Sequence, residues 1–223
     1  MEMPDNMQTS NNRIVICLNG EKPDEGLLRT AMENAYIIAA DGACRYLCDF
    51  GIKADCVVGD FDSFEFDRLN NALRPGGRLI RSIPEKDYTD GQMALKEALD
   101  MNPGDIVILG ALGGRTDHEQ ENLRLLCAAN ENCSISILTR DERIFIINSE
   151  KTLYAAPGTT VSLLPYTDTA EVVLAEGFRY PMDGLMLSRC DALSLSGLSN
   201  IMLNGRAYIR LKRGLLLAIM LNH

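Results

Sequence analysis

Residues 106–118 read Ile-Val-Ile-Leu-Gly-Ala-Leu-Gly-Gly-Arg-Thr-Asp-His, and their order decides the fold class. The four apolar residues Ile106 to Leu109 have the short, unbroken hydrophobicity of a strand buried on both faces. A glycine turn at Gly110, Gly113 and Gly114 follows, and helical periodicity then runs from Asp117 to Asn130. Thr116, three residues before Glu119, predicts a capping box at the start of that helix. Strand, glycine turn and helix in this order are the repeating unit of a parallel α/β sheet.

The same alternation extends outward to about residue 147. Ile14 to Leu18, Tyr36 to Ala40, Asp55 to Val58, Arg78 to Ile83 and Ser134 to Leu138 read as further strands. Glu25 to Asn34, Ala43 to Phe50, Phe66 to Leu73 and Asp90 to Met101 read as helices, the last opened by a second capping box, Thr89 with Gln92. After Asn148 the helical period stops. Short apolar runs such as Thr159 to Leu164, Glu171 to Leu174, Leu185 to Leu187, Ala192 to Leu195, Ile201 to Leu203, Ala207 to Leu211 and Leu215 to Ile219 alternate with turn-formers. Asn204-Gly205 is the strongest hairpin signal among them. The expected architecture is therefore α/β: residues 1–147 form a mostly parallel sheet with flanking helices, and 148–223 form an all-β sandwich domain.

The 223 residues carry 22 Lys plus Arg against 31 Asp plus Glu, a net charge of −9, with no basic block. That balance argues against a nucleic-acid binder, whose affinity rests on clustered positive charge. Seven cysteines, an odd number without a C-x-x-C pair, read as reduced core thiols rather than a disulfide framework. No stretch approaches the ~18 apolar residues of a membrane span, and the polar residues 1–12 lack the apolar core of a secretory signal. A cytoplasmic location is the expectation.

Five strand ends carry the chemistry-bearing residues. Gly59-Asp60-Phe61-Asp62-Ser63 places two carboxylates at i and i+2 beyond a strand, on one side of an extended chain, where both can approach a divalent cation. A solvated acidic turn is the alternative. Glu85-Lys86-Asp87-Tyr88-Thr89-Asp90 adds carboxylates at a helix start, where Asp90 can also be an ordinary N-terminal acid. Gathered at one sheet edge, Asp60, Asp62, Asp87 and Asp90 repel one another unless a cation lies among them. The turn Gly113-Gly114-Arg115 aims backbone N–H groups and a guanidinium at an anion, with a ligand-free tight turn as the alternative. It is not a P-loop, because residue 109, where the first glycine would stand, is leucine. Asn19-Gly20 and Asp41-Gly42 add two more strand-end turns, and together these ends describe a crevice for a metal-bound polyphosphate.

The runs Ala40-Asp41-Gly42, Val58-Gly59-Asp60-Phe61-Asp62-Ser63, Lys86-Asp87-Tyr88-Thr89-Asp90 and Gly113-Gly114-Arg115-Thr116-Asp117-His118, followed by a β domain, resemble the thiamine pyrophosphokinase family over nearly the whole chain from Ile14. The resemblance implies transfer of the pyrophosphoryl group of ATP to the hydroxyl of thiamine, giving thiamine diphosphate and AMP, in a Mg²⁺-dependent homodimer with active sites at the subunit interface. It implies metal ligands Asp60, Asp62 and Asp90, and catalytic residues Asp62, Asp90, Arg115 and Asp117. ATP would be bound by Asn19, Asp41, Gly42, Gly113, Gly114, Arg115 and His118, and thiamine by Lys86, Tyr180, Ser199 and Asn200. Tyr180 stands where some relatives carry tryptophan, and its ring face still suits a cationic thiazolium. Asp90 and Asp117 both remain candidates for the general base. Another Mg²⁺-dependent nucleotide transferase or phosphatase, or a non-catalytic thiamine or nucleotide sensor, is the competing reading of the same residues.

Overall fold

A computed structural model describes residues 13–61, 71–81, 88–193 and 197–221. The chain divides into two compact units, Met1–Ile137 and Leu138–His223, so the run Glu142–Ile147 goes with the second unit rather than closing the first.

In the first unit the strands are β1 Arg13–Cys17, β2 Tyr36–Ala40, β3 Ala54–Gly59, β4 Leu73–Arg81, β5 Asp105–Leu109 and β6 Ser134–Leu138. They pair in the order β6-β5-β1-β2-β3-β4, and every pairing is parallel. The central strands are apolar because their middles are sealed on both faces: Ile14, Ile16, Ile38, Val57, Ile106 and Ile108 are all fully buried. From β1 the chain steps outward to β4 and then returns to the opposite side of β1 as β5. That reversal opens a crevice beyond the carboxyl ends of β1 and β5, the place where doubly wound sheets bind ligands.

The helices of this unit are α1 Glu25–Met32, α2 Cys44–Asp49, α3 Asp90–Asp100 and α4 Thr116–Leu125, with 3-10 turns at Asp41–Ala43 and Leu126–Ala128. Asp24 caps α1 by accepting the Leu27 N–H at 2.9 Å. The box expected at α3 forms completely: the Gln92 N–H donates to Thr89 Oγ1 at 3.2 Å, and the Thr89 N–H donates to Gln92 Oε1 at 2.9 Å. The box expected at α4 does not form. That helix starts at Thr116 itself, with Arg115 at the cap position and no side-chain cap. Most of the expected helix Phe66 to Leu73 lies outside the described residues, as do the last two residues of the expected strand Arg78 to Ile83. Of the described residues of that expected helix, Asn71 and Ala72 are helical, as expected, and Leu73 belongs to β4.

The second unit contains β7 Glu142–Ile147, β8 Glu150–Tyr154, β9 Thr160–Pro165, β10 Thr169–Glu176, β11 Met186–Ser188, β12 Gly197–Ile201, β13 Arg206–Arg213 and β14 Leu216–Leu221. Antiparallel pairing gives two sheets, β12-β9-β14-β7 and β11-β10-β13-β8. Phe145, Val161, Leu163 and Leu216 from one sheet share a core with Leu153, Val172, Ile209 and Leu211 from the other, which makes this unit a sandwich. Along the chain each strand lies in the sheet opposite its predecessor, except for the antiparallel pair β10 and β11. Asn204-Gly205 is therefore not a hairpin. It carries the chain from β12 in one sheet to β13 in the other, with buried Met202 anchored by its N–H on the Thr159 carbonyl at 2.9 Å. The expected strand Ala192 to Leu195 is also absent over its described part: Ala192 and Leu193 form a turn, and Leu193 is 96% exposed.

Candidate active site

Beyond the carboxyl ends of β1 and β5 the two connecting turns run side by side. The Leu18 N–H donates to the Leu109 carbonyl at 2.8 Å, the Gly20 N–H to the Gly110 carbonyl at 2.7 Å, and the Glu21 N–H to the Leu112 carbonyl at 2.6 Å. This approach requires glycine: a Cβ on Gly110, which has φ +65°, would lie 2.3 Å from the Leu18 carbonyl oxygen. The turns open a cleft of about 460 Å³, within the ~300–1,000 Å³ range of small-molecule sites. Its walls bring together Asn19 after β1, Asp60 after β3, Thr89, Asp90 and Gly91 at the start of α3, and Gly114, Arg115, His118, Glu119 and Asn122 at the start of α4. Gly42, at the turn after β2, packs so closely on Asn19 that an added Cβ would lie 2.5 Å from the Asn19 Cγ.

Asn19, Asp60, Asp90, Gly114, Arg115 and His118 thus converge as the sequence predicts. Asp62 and Lys86 lie outside the described residues, and Asp41 is described only as part of its 3-10 turn. Asp117 departs from the expected arrangement. It faces Arg115 rather than the cleft: Arg115 Nη2 donates to Asp117 Oδ2 at 2.5 Å and Arg115 Nε to Oδ1 at 3.1 Å, while the His118 N–H donates to Oδ1 at 3.0 Å. The hydrogen bond from Arg115 holds the Asp117 carboxyl below its usual pKa. Gly113 and Gly114 are not bare donors either. Both N–H groups reach Glu119 Oε1, at 2.7 and 2.9 Å, because Glu119 turns back onto the glycines instead of completing a box with Thr116.

Tyr88, Thr89, Glu119 and Asn122 also line the cleft, although the sequence assigned none of them a binding or catalytic role. The signal was present in the spacing, since 115, 118, 119 and 122 fall on one face of a helix. Asn122 fastens that face to the turn by donating from Nδ2 to the Ala111 carbonyl at 2.7 Å.

The acidic residues supply hard oxygen donors of the kind Mg²⁺ takes. Among the described residues no three Asp, Glu, His or Cys side chains are placed to hold one ion; the carboxylates that line the cleft are Asp60, Asp90 and Glu119. A second groove, of about 500 Å³, runs between α3 and α4, but its charges are already matched: Lys96 pairs with Asp100 and Arg124 with Glu121.

In the sandwich, Tyr180 is 55% exposed and Ser199 is exposed. Asn200 is only 2% exposed, and its amide is committed to the Tyr180 backbone, donating to the Tyr180 carbonyl at 2.8 Å and accepting the Tyr180 N–H at 3.0 Å. Where the sequence assigned Asn200 to ligand contact, the structure makes it a brace for Tyr180. Ser199 adopts a left-handed backbone, φ +52°, at a register shift between β12 and β9. Cys17, Cys44, Cys56 and Cys133 are buried, as expected of core thiols, whereas Cys127 and Cys190 are exposed. Among the described residues no helix is long and apolar enough to cross a membrane.

Parallel order, a switch-point cleft, a glycine turn entering a helix and flanking carboxylates define an α/β protein with a cleft beyond the carboxyl ends of its parallel strands, followed in the chain by a β-sandwich. The profile of the thiamin pyrophosphokinase catalytic domain matches residues 28–137. Thiamine pyrophosphokinase of Bacillus subtilis is 26% identical over 196 residues, covering 84% of this chain and 87% of that protein. The crystal structure of thiamine pyrophosphokinase from Bacillus subtilis superposes with a TM-score of 0.81 at 26% identity, covering 95% of this chain and 99% of that one. The crystal structure from Geobacillus thermodenitrificans gives 0.79 at 25% identity, with 95% and 98% covered. Residues 28–137 thus carry the thiamin pyrophosphokinase catalytic domain, and the chain is similar to thiamine pyrophosphokinases over most of its length.

Proposed function

We propose that this protein transfers the pyrophosphoryl group of ATP to the hydroxyl of thiamine, releasing AMP and thiamine diphosphate. The observation that carries this reading is the switch-point cleft, which unites three carboxylates, a guanidinium and an imidazole around a glycine turn. Asn19, the backbone of Asp41 and Gly42, the Gly113-Gly114 turn, Arg115 and His118 bind ATP. Asp60 and Asp90, joined by Asp62, hold Mg²⁺. The ion, when bound, neutralises phosphate charge and orients the polyphosphate.

Arg115 meets the charge that develops on the phosphoryl oxygens, and Asp117 orients it. Asp117 is held by that guanidinium and lies off the cleft wall, so the thiamine hydroxyl proton passes to Asp90. Tyr180 takes the thiazolium on its ring face, braced by Asn200, with Ser199 and Lys86 on the same ligand. The enzyme acts as a cytoplasmic homodimer with active sites at the subunit interface.

Incubation with ATP, Mg²⁺ and thiamine should yield AMP and thiamine diphosphate in equal amounts. Phosphate release without thiamine consumption, or binding without turnover, would overturn the assignment. Asp90→Asn should lower kcat by at least about 100-fold, whereas Asp117→Asn should act mainly on the KM for ATP.

A further inference from the structure

We propose that Glu119 is a resident competitor for the anion-binding N–H groups of the cleft, and so sets how strongly a phosphate group must bind to take them. This rests on the ATP-binding role of the cleft proposed above. One carboxylate oxygen, Oε1, accepts both the Gly113 and the Gly114 N–H, at 2.7 and 2.9 Å. These are the donors that a phosphate oxygen at the start of α4 would use. Glu119 and a phosphate therefore cannot hold the pair together.

Two further observations separate a competitor from a simple clamp. First, the turn is fastened without Glu119: the Gly110, Ala111 and Leu112 carbonyls accept from the Gly20 N–H, from Asn122 Nδ2 and from the Glu21 N–H, respectively. Losing the Glu119 side chain leaves those three bonds in place. Second, Glu119 shares the cleft wall with Asp60 and Asp90, so its charge adds to the repulsion an incoming polyanion meets, with Arg115 as the guanidinium opposing it. A polyphosphate bringing its own Mg²⁺ offsets that repulsion better than a monophosphate does.

The test is calorimetric titration of the full chain with ATP plus Mg²⁺, and separately with AMP, for the wild type, Glu119→Ala and Glu119→Gln, alongside thermal melting. Glu119→Ala should bind ATP roughly three- to tenfold more tightly, the change expected for removing one competing charged hydrogen-bond acceptor. AMP should gain by a larger factor, narrowing the preference for ATP. Glu119→Gln, which keeps an acceptor without the charge, should fall between wild type and Glu119→Ala. Equal or weaker ATP binding by Glu119→Ala in a folded protein overturns the proposal, and if that variant is unfolded, unchanged or weaker binding by Glu119→Gln does so. Wild-type protein that binds ATP but makes no AMP from ATP and thiamine would refute the pyrophosphokinase reading, and the binding comparison would still decide the role of Glu119.

Discussion

Gly42 and Asn19 come from turns after different strands and meet with no room for a side chain between them. The place a Cβ would take on Gly42 lies 2.5 Å from both Asn19 Cγ and Nδ2, so Gly42→Ala must displace the Asn19 side chain from the cleft wall. The expected outcome is a KM for ATP raised about tenfold or more, with kcat less affected, since a displaced positioning group weakens binding before it alters the chemistry. Steady-state kinetics at varied ATP checks it, and an unchanged KM would show that Asn19 does not touch the nucleotide. A second expectation at this scale concerns Asp117. Its hydrogen bonds from Arg115 favour the ionised carboxylate, so its folded-state pKa lies below the ordinary 3.8. A depressed carboxylate adds stability above the unfolded value and loses it as pH falls through the folded one, so the Arg115–Asp117 pair should survive to pH values below 3.8. Carboxyl chemical shifts followed by NMR through an acid titration should show Asp117 titrating below 3.8, and Arg115→Ala should move it up towards that value.

Helix starts decide how the cleft is walled, and α3 and α4 solve the problem differently. The complete box at Thr89 and Gln92 fixes the first turn of α3 and with it the backbone that carries Asp90. Thr89→Ala should cost about 1 kcal/mol of stability, the usual penalty for losing an N-cap acceptor, readable as a lower denaturation midpoint in urea. In α4 the analogous substitution, Thr116→Ala, should cost far less, because the Thr116 hydroxyl caps nothing. The two sequence patterns are alike, Thr89 to Gln92 and Thr116 to Glu119, so periodicity and capping rules could not tell them apart. What separates them is tertiary: Glu119 has two glycine N–H donors within reach. The same limit governs the rest of the reading. The parallel strands were legible because burial on both faces leaves an unbroken apolar run, as in Ile106 to Leu109. The convergence of Asn19, Asp60, Asp90 and Arg115 was legible because each stands just past the end of such a strand or at the start of a helix. The strand order was not, since pairing depends on contacts distant in sequence. Asn204-Gly205 failed as a hairpin signal for the same reason: turn chemistry specifies a reversal, not which sheet receives the next strand.

At the scale of the whole molecule, the cysteines report on folding without any added probe. Cys17, Cys44, Cys56 and Cys133 are buried, Cys48 is intermediate, and Cys127 and Cys190 are exposed. Burial pushes the Cys17 thiol up to about 12, against a smaller lowering by its hydrogen bond with Tyr46. Burial, reinforced by the Glu97 charge, pushes Cys56 up to about 11. Both pKa values are raised over an unfolded value near 9, so the stability these thiols contribute is fully present below pH 9 and is lost as pH climbs towards 11 and 12, where the unfolded chain ionises and the folded one resists. Two results should follow from titration with an aromatic disulfide reagent. At pH 8 the folded protein should label quickly at Cys127 and Cys190 and slowly at Cys17, Cys44, Cys56 and Cys133, all of which become reactive together across the urea transition. At pH 10 that transition should shift to lower urea, with the buried thiols released at the new midpoint. A midpoint unmoved between pH 8 and pH 10, or Cys17 labelling as fast as Cys190 in the folded protein, would mean that the β1 thiol is not sealed in the sheet core.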